Sequence, residues 1–139
     1  MREYSISVAM ATYNGEKYIM EQLESILPQL SQNDEIVISD DGSTDKTIDI
    51  IKKIDDKRIK VIKGPRRGVK QNFANSISNC KGKYIFLSDQ DDIWMPNKVE
   101  EVLKCFEETG AMCVIHDCDV VNGDNTEILI DSFFNYRGS

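Results

Sequence analysis

A short apolar run that ends in a burst of carboxylates constrains this chain more than any other feature: Tyr84-Ile85-Phe86-Leu87-Ser88-Asp89-Gln90-Asp91-Asp92-Ile93-Trp94-Met95-Pro96. The run has no polar interruption before Ser88, the pattern of a strand covered on both faces. Pro96 suits the first turn of a helix, where its missing N–H costs nothing. Strand, acids, helix: this order places Asp89, Asp91 and Asp92 at the carboxyl end of a buried strand. In an open α/β sheet that edge is where ligands bind. Like charges gathered there repel one another unless a cation or a hydrogen-bonding ligand offsets them. Carboxylate oxygens are hard ligands, so the ion that fits is Mg²⁺ or Mn²⁺, with phosphate oxygens completing its shell. Taken alone, the same acids could simply cap the following helix, and Asp92 keeps that role available.

The rest of the chain repeats the alternation. Ser5–Ala11 reads as a first strand, broken by Thr12-Tyr13-Asn14-Gly15, where Asn14 or Gly15 can cap a helix carrying Ile19, Leu23, Ile26 and Leu30 on one face. Glu35–Ser39 is a second strand, ending in Asp40-Asp41-Gly42-Ser43-Thr44-Asp45. Ser43 or Thr44 is placed to cap a helix with Ile48, Ile51 and Ile54 inward. Arg58–Lys63, flanked by charge, reads as a third strand near an edge. After the basic loop Gly64-Pro65-Arg66-Arg67-Gly68 comes a helix with Phe73, Ile77 and Cys80 on one stripe. Tyr84–Ser88 is the fourth strand. A helix from near Pro96 buries Val99, Val102, Leu103 and Phe106 and stops at Gly110. Ala111–His116 is a fifth strand, and Asn122-Gly123 suggests a hairpin between Asp119–Val121 and Thr126–Ile130. The expected fold is α/β: a mostly parallel sheet with helices on both faces. At 139 residues the chain suits one domain, residues 1–139.

Charge narrows the function. A net charge of −7 and a pI near 4.7 argue against a nucleic-acid-binding face. No window approaches an apolar membrane span, and no signal-peptide pattern precedes the first strand. Cys80, Cys105, Cys113 and Cys118 form no CxxC pair and sit mostly in apolar-patterned segments, which favours reduced, buried thiols and a cytoplasmic location. With His116 as the single histidine, a Cys/His metal centre is disfavoured. His116-Asp117 reads as structural, because neighbours on a strand face opposite ways. Asp117-Cys118-Asp119 lacks the spacing and terminal Glu of a calcium loop.

Three loops fall on one rim of the expected sheet: Thr12-Tyr13-Asn14, Asp40-Asp41 and Asp89-Gln90-Asp91-Asp92. If strands one to three spread one way and the fourth pairs on the other side of the first, a crevice opens between strands one and four. A nucleotide fits there. A carboxylate after the second strand can accept the N3–H of uracil or thymine, a carboxylate of the DxD can accept from ribose hydroxyls, and a metal on Asp91 would screen a diphosphate. The basic loop from Arg66 to Lys70 lies on the same rim. No G-x-G-x-x-G follows the first strand and no G-K-[ST] is present, so dinucleotide and P-loop folds are disfavoured. A phosphoacceptor receiver would carry its acid pair after the first strand, not the second.

The set V-A-M-A-T-Y-N-G, I-V-I-S-D-D-G-S-T-D and G-K-Y-I-F-L-S-D-Q-D-D-I-W-M-P-N-K resembles the inverting glycosyltransferases of family 2, with the GT-A fold. The DQDD form and the late D-S-F-F-N-Y-R-G segment look most like bacterial rhamnosyltransferase-type members. The resemblance implies a metal-dependent transferase moving a sugar from a UDP- or dTDP-linked donor to an acceptor hydroxyl, with inversion, in bacterial cell-surface polysaccharide synthesis. It implies that Ala11, Thr12, Tyr13 and Asn14 line the nucleotide pocket and that Asp41, with Asp40 beside it, meets the base. It further implies that Asp89 lies against the ribose, that Asp91 with Asp89 ligates Mg²⁺ or Mn²⁺, and that Lys70 and Asn72 contact base or phosphate. The family's acceptor site and general base come from a later segment, so the base is expected beyond residue 139. The chain is thus expected to be the nucleotide-sugar-binding portion of a longer fold. The implied partners are the nucleoside diphosphate sugar and a saccharide or lipid-linked acceptor met at the inner face of the membrane. Phe133, Phe134 and Tyr136 suggest self-association through the C-terminal segment. The alternative is a nucleotide-sugar-binding fragment without turnover.

Overall fold

The structure, a computed structural model, describes residues 4–89, 93–109, 113–115 and 119–121. The chain divides into two compact units, Met1–Trp94 and Met95–Ser139.

In the first unit the elements are β1 (Ile6–Thr12), α1 (Ile19–Ile26) with a 3₁₀ turn at Leu27–Gln29, β2 (Glu35–Asp40), α2 (Thr47–Ile54), β3 (Ile59–Lys63), α3 (Val69–Ser78) and β4 (Tyr84–Asp89). The strands form one sheet in the order β3-β2-β1-β4, with every pairing parallel. The expected reversal is therefore present: the chain steps from β1 to β2 to β3, then returns past both to pair β4 with β1. Right-handed crossovers put α1 and α2 on one face and α3 on the other. Packing of α3 on β1 and β2 agrees with that return path.

Burial follows position in the sheet. Every residue of β1 and β2 is buried, as the two central strands require. Ile6, Val8 and Met10 of β1 and Ile36 and Ile38 of β2 are wholly sealed, each such side chain worth roughly 1.5–3 kcal/mol. Ile19, Leu23 and Ile26 of α1 are fully buried beside them, and Leu30 is nearly so, which is the stripe their spacing predicts. β3 lies at the edge, with Lys60, Val61 and Lys63 exposed. β4 departs from its expected two-sided burial: Phe86 and Ser88 are buried, whereas Ile85 is 38% exposed. Trp94 is buried against Phe86, and its backbone N–H donates to the Ser25 hydroxyl, which anchors the chain as it leaves the acidic segment.

The second unit holds α4 (Lys98–Thr109), on which Val99 and Leu103 are buried, and the antiparallel pair β5 (Cys113–Ile115) and β6 (Asp119–Val121). β6 thus pairs with β5. The expected partner Thr126–Ile130, the Asn122-Gly123 turn, Gly110 and the aromatic segment Phe133–Tyr136 lie outside the described residues. Among the described residues no helix is long and apolar enough to cross a membrane.

Candidate nucleotide site at the carboxyl rim

The register brings the predicted loops together. Thr12 pairs with Asp40, Asp40 with Lys63, and Ala11 with Asp89, so the strand ends form one rim. Asp40, only 8% exposed, organises it. Its Oδ1 accepts from the Thr12 hydroxyl at 2.7 Å and the Ser43 hydroxyl at 2.6 Å. Its Oδ2 accepts the backbone N–H groups of Ser43 at 2.8 Å and Gly42 at 3.1 Å. Four hydrogen bonds use the carboxylate in full, and they force the chain into a tight turn in which Gly42 takes φ +92°, a conformation open to glycine.

Two helix-cap expectations are corrected here. α1 begins at Ile19, so Asn14 does not cap it. Asn14 adopts φ +52°, its N–H donates to Ser43 Oγ at 2.9 Å, and its Oδ1 accepts the Thr44 N–H at 2.8 Å. α2 begins at Thr47 rather than beside Ser43 or Thr44. Ser43 and Thr44 are used to stitch the loop after β2 to the loop after β1. Asp45 takes the start of α2, accepting from the Thr47 N–H and hydroxyl as well as the Glu16 N–H. Burial pushes the Asp45 carboxyl upward, but those hydrogen bonds outweigh it and hold its pKa low. Gly15 N–H donates to Thr47 Oγ1 at 2.8 Å and closes the lattice.

Asp41 is treated differently from its neighbour. Its N–H donates to the Thr12 carbonyl, and its Oδ1 accepts the Arg66 N–H at 2.8 Å. Among the described residues its second carboxylate oxygen accepts nothing. The sequence grouped Asp40 and Asp41 as one nucleotide-contacting pair; in the structure one is scaffold and the other is open. Asn72 is buried on α3 and donates through Nδ2 to the Thr12 carbonyl at 3.3 Å, while its buried Oδ1 has no partner among the described residues. Gly64 sits between these two groups: a Cβ there would lie 2.3 Å from Asp41 Oδ1 and 2.4 Å from Asn72 Oδ1. A cleft of about 360 Å³ borders the same loops, lined by Gly42, Ile48, Val61, Ile62, Gly64 and Arg66 among others; Asp41 is not part of its lining.

Of the remaining predicted residues, Ala11 and Thr12 are buried at the end of β1 and Tyr13 is 53% exposed above them. Lys70 is exposed on the first turn of α3 with no partner among the described residues. The backbone of Asp89 ends β4 beside Ala11. Asp91 and Asp92 lie outside the described residues, and the described residues alone hold no cluster of three metal-ligating side chains. Sequence reasoning missed Ser43, Gly64 and the Arg66 N–H. Gly-Pro ahead of Arg66 signals a turn, but nothing in it reveals that a backbone donor would face Asp41.

The sequence profile described as glycosyl transferase family 2 matches residues 7–138. The chain belongs to that family. Among its relatives, the dTDP-rhamnosyl transferase RfbG of Shigella flexneri is 38% identical over 112 residues, which cover 75% of this chain and 39% of that protein. The solved structure of Staphylococcus aureus TarS 1-349 in complex with UDP superposes with a TM-score of 0.66 at 27% identity, covering 85% of this chain and 38% of that one. The mannosyltransferase PcManGT of Pyrobaculum calidifontis, solved with GDP-Man and Mn²⁺, shares the fold with a TM-score of 0.71 at 22% identity, covering 86% and 38%. The family 2 chain thus has the GT-A fold expected of it, and its matches cover between 16% and 50% of the length of these curated relatives.

Proposed function

We propose that this chain is the donor-binding part of an inverting glycosyltransferase. It holds a UDP- or dTDP-linked sugar at the carboxyl rim, for transfer to a saccharide or lipid-linked acceptor in bacterial cell-surface polysaccharide synthesis. The observation that carries this reading is the open oxygen of Asp41 on a rim where the neighbouring Asp40 carboxylate is fully used by the loops. A lone carboxylate acceptor at that place suits a pyrimidine N3–H. The relatives support it: one is a dTDP-rhamnosyl transferase, and one neighbour was solved with UDP.

In this reading Asp40 does not touch the nucleotide; it holds the loops of Ala11–Asn14 and Asp41–Thr44 in register around it. Tyr13 lies exposed at the mouth, placed for a flat ring, and Lys70 supplies charge from α3. Asp89 takes the ribose. The donor set at the end of β4 is all hard oxygen (Asp89, Gln90, Asp91, Asp92), which fits a divalent ion beside a diphosphate. Asp91 with Asp89 would hold Mg²⁺ or Mn²⁺, in line with the Mn²⁺ solved in the mannosyltransferase neighbour. When bound, that ion supplies Lewis-acid stabilisation of the departing diphosphate. Inversion requires one in-line attack by an acceptor hydroxyl whose proton passes to a general base. In this reading Asp40 and Asp45 serve as scaffold, Asp41 meets the base and Asp89 the ribose, so the general base comes from another residue. The same observation favours a second reading, donor binding without transfer by this chain alone.

Calorimetry with UDP, dTDP and GDP, each with Mn²⁺ or EDTA, tests the proposal. Asp91→Ala should weaken UDP or dTDP binding at least about tenfold, ~1.4 kcal/mol. Equal affinity in Mn²⁺ and EDTA would remove the metal from the account, and no nucleotide binding at all would remove the function.

A further inference from the structure

The turn between β3 and α3 has no role in the reading so far, yet it decides which atom of Asp41 is free. Arg66 adopts φ +59°, a region costly for a residue with a side chain, and in that conformation its backbone N–H reaches Asp41 Oδ1 at 2.8 Å. Gly64, whose N–H donates to the Asp40 carbonyl at 2.7 Å, leaves open the space that Asp41 Oδ1 occupies. A methyl group at residue 64 would collide with that oxygen and with Asn72 Oδ1. The nearest backbone atom, the Asp40 carbonyl oxygen, is 3.1 Å away, so mobile side-chain ends would yield first and the fold would stand. The φ of Gly64 is not positive, so alanine suits the backbone there.

We propose that the Gly64–Arg66 turn is a specificity determinant of the nucleotide site: it pins one oxygen of Asp41 so that a single, fixed acceptor reads the base. This rests on the donor-binding reading above and deepens it. A fixed lone acceptor matches uracil and thymine, which offer one donor at N3. It opposes cytosine, whose N3 is itself an acceptor. Guanine's adjacent pair of donors would need both carboxylate oxygens, and one is already taken. The Arg66 guanidinium is not part of the device; it lies over Gly42, within 2.9 Å of where a Cβ on that glycine would stand.

Pinning makes a prediction that a freely rotating side chain does not. In Asp41→Asn the Arg66 N–H still needs an acceptor, so the amide oxygen stays on it and the NH₂ group takes the outward place. The site then presents a donor to N3. UDP and CDP affinities are measured for the parent chain, Asp41→Asn, Asp41→Asn combined with Gly64→Ala, and Arg66→Gly, with unfolding curves confirming that each is folded. The parent should prefer UDP by about tenfold or more, the usual scale for a charge-assisted hydrogen bond. Asp41→Asn should reverse the ratio in favour of CDP, adding Gly64→Ala should bring it back toward one, and Arg66→Gly should keep the parent's ratio. An Asp41→Asn chain with no CDP preference, or a reversal that survives Gly64→Ala, overturns the inference while the donor-binding reading stands. A parent that binds neither nucleotide overturns that reading and the inference with it.

Discussion

The two ends of the parallel sheet both carry acids at their strand termini and use them in opposite ways. At the amino end, Asp34 accepts the N–H groups of Ile6 at 2.9 Å and Ser31 at 2.6 Å. Glu35 accepts from Lys60 through one oxygen and from the Ser7 hydroxyl and the Lys81 N–H through the other. Arg58 closes that end by donating to Asp56 and to the carbonyls of Leu27 and Leu30. Every one of these carboxylate oxygens is answered inside the chain. At the carboxyl end Asp40 is answered just as fully, but Asp41 keeps one oxygen in reserve and Asn72 a buried carbonyl oxygen. A buried polar group costs free energy unless it is paired, which applies to the Asn72 oxygen; the half-buried Asp41 carboxylate reaches solvent and keeps its second oxygen available to a ligand. Acidity therefore does not distinguish the two ends; the unpaired remainder does.

The sharpest way to break this contrast is to exchange the roles of the neighbours. Asp40→Ala strands the Thr12 and Ser43 hydroxyls and two loop N–H groups, and should cost about 3 kcal/mol in urea unfolding. Asp41→Ala removes a side chain with one internal partner and should stay within roughly 1 kcal/mol, while losing most of the nucleotide affinity. Similar stability losses for the two would mean that Asp41 is scaffold as well.

A smaller effect sharpens the other end. Burial pushes the Glu35 carboxyl upward, but Lys60, Ser7 and the Lys81 N–H together hold its pKa below the ordinary 4.5. Its stabilisation is then present above pH 4.5 and is lost as pH falls through the lowered value in the folded state. Glu35→Gln should cost about 1 kcal/mol at neutral pH, discounted because Lys60 is half exposed, and should flatten the acid limb of the stability curve. UDP affinity at pH 7 should not change. A Glu35→Gln chain that binds nucleotide more weakly would couple the two ends. The Cys80 thiol belongs to this quiet end: burial, with Glu35 adding, pushes it to about 11, so it is a poor nucleophile, as its apolar setting in the sequence suggests.

The parallel pairing is legible because strands alternate with helices, and the positions of Asp40–Asp41 and Asp89 at the ends of apolar runs put them on one rim; the order β3-β2-β1-β4 is one arrangement that the sequence allows and the structure shows. The division of labour between Asp40 and Asp41 is not legible. Adjacent acids look alike in sequence, and only the Thr12–Asp40 register shows which one turns inward. The misplaced helix caps have a similar cause. Asn14, Ser43 and Thr44 have the right chemistry for capping, but two loops lying side by side let them bond across to each other instead. Gly64 was invisible as a site residue because its contribution is the absence of a side chain, and Arg66 because its contribution is backbone.

The central claim, that the carboxyl rim and not the amino end receives the donor nucleotide, is tested most directly by backbone amide resonances during a UDP titration with Mg²⁺. The account predicts that shifts concentrate at Asp41, Thr44 and Arg66, while Ile6, Ser31 and Lys81, which serve the acids of the amino end, stay in place. Shifts led by Ser31 and Lys81, with Arg66 unmoved, would contradict it.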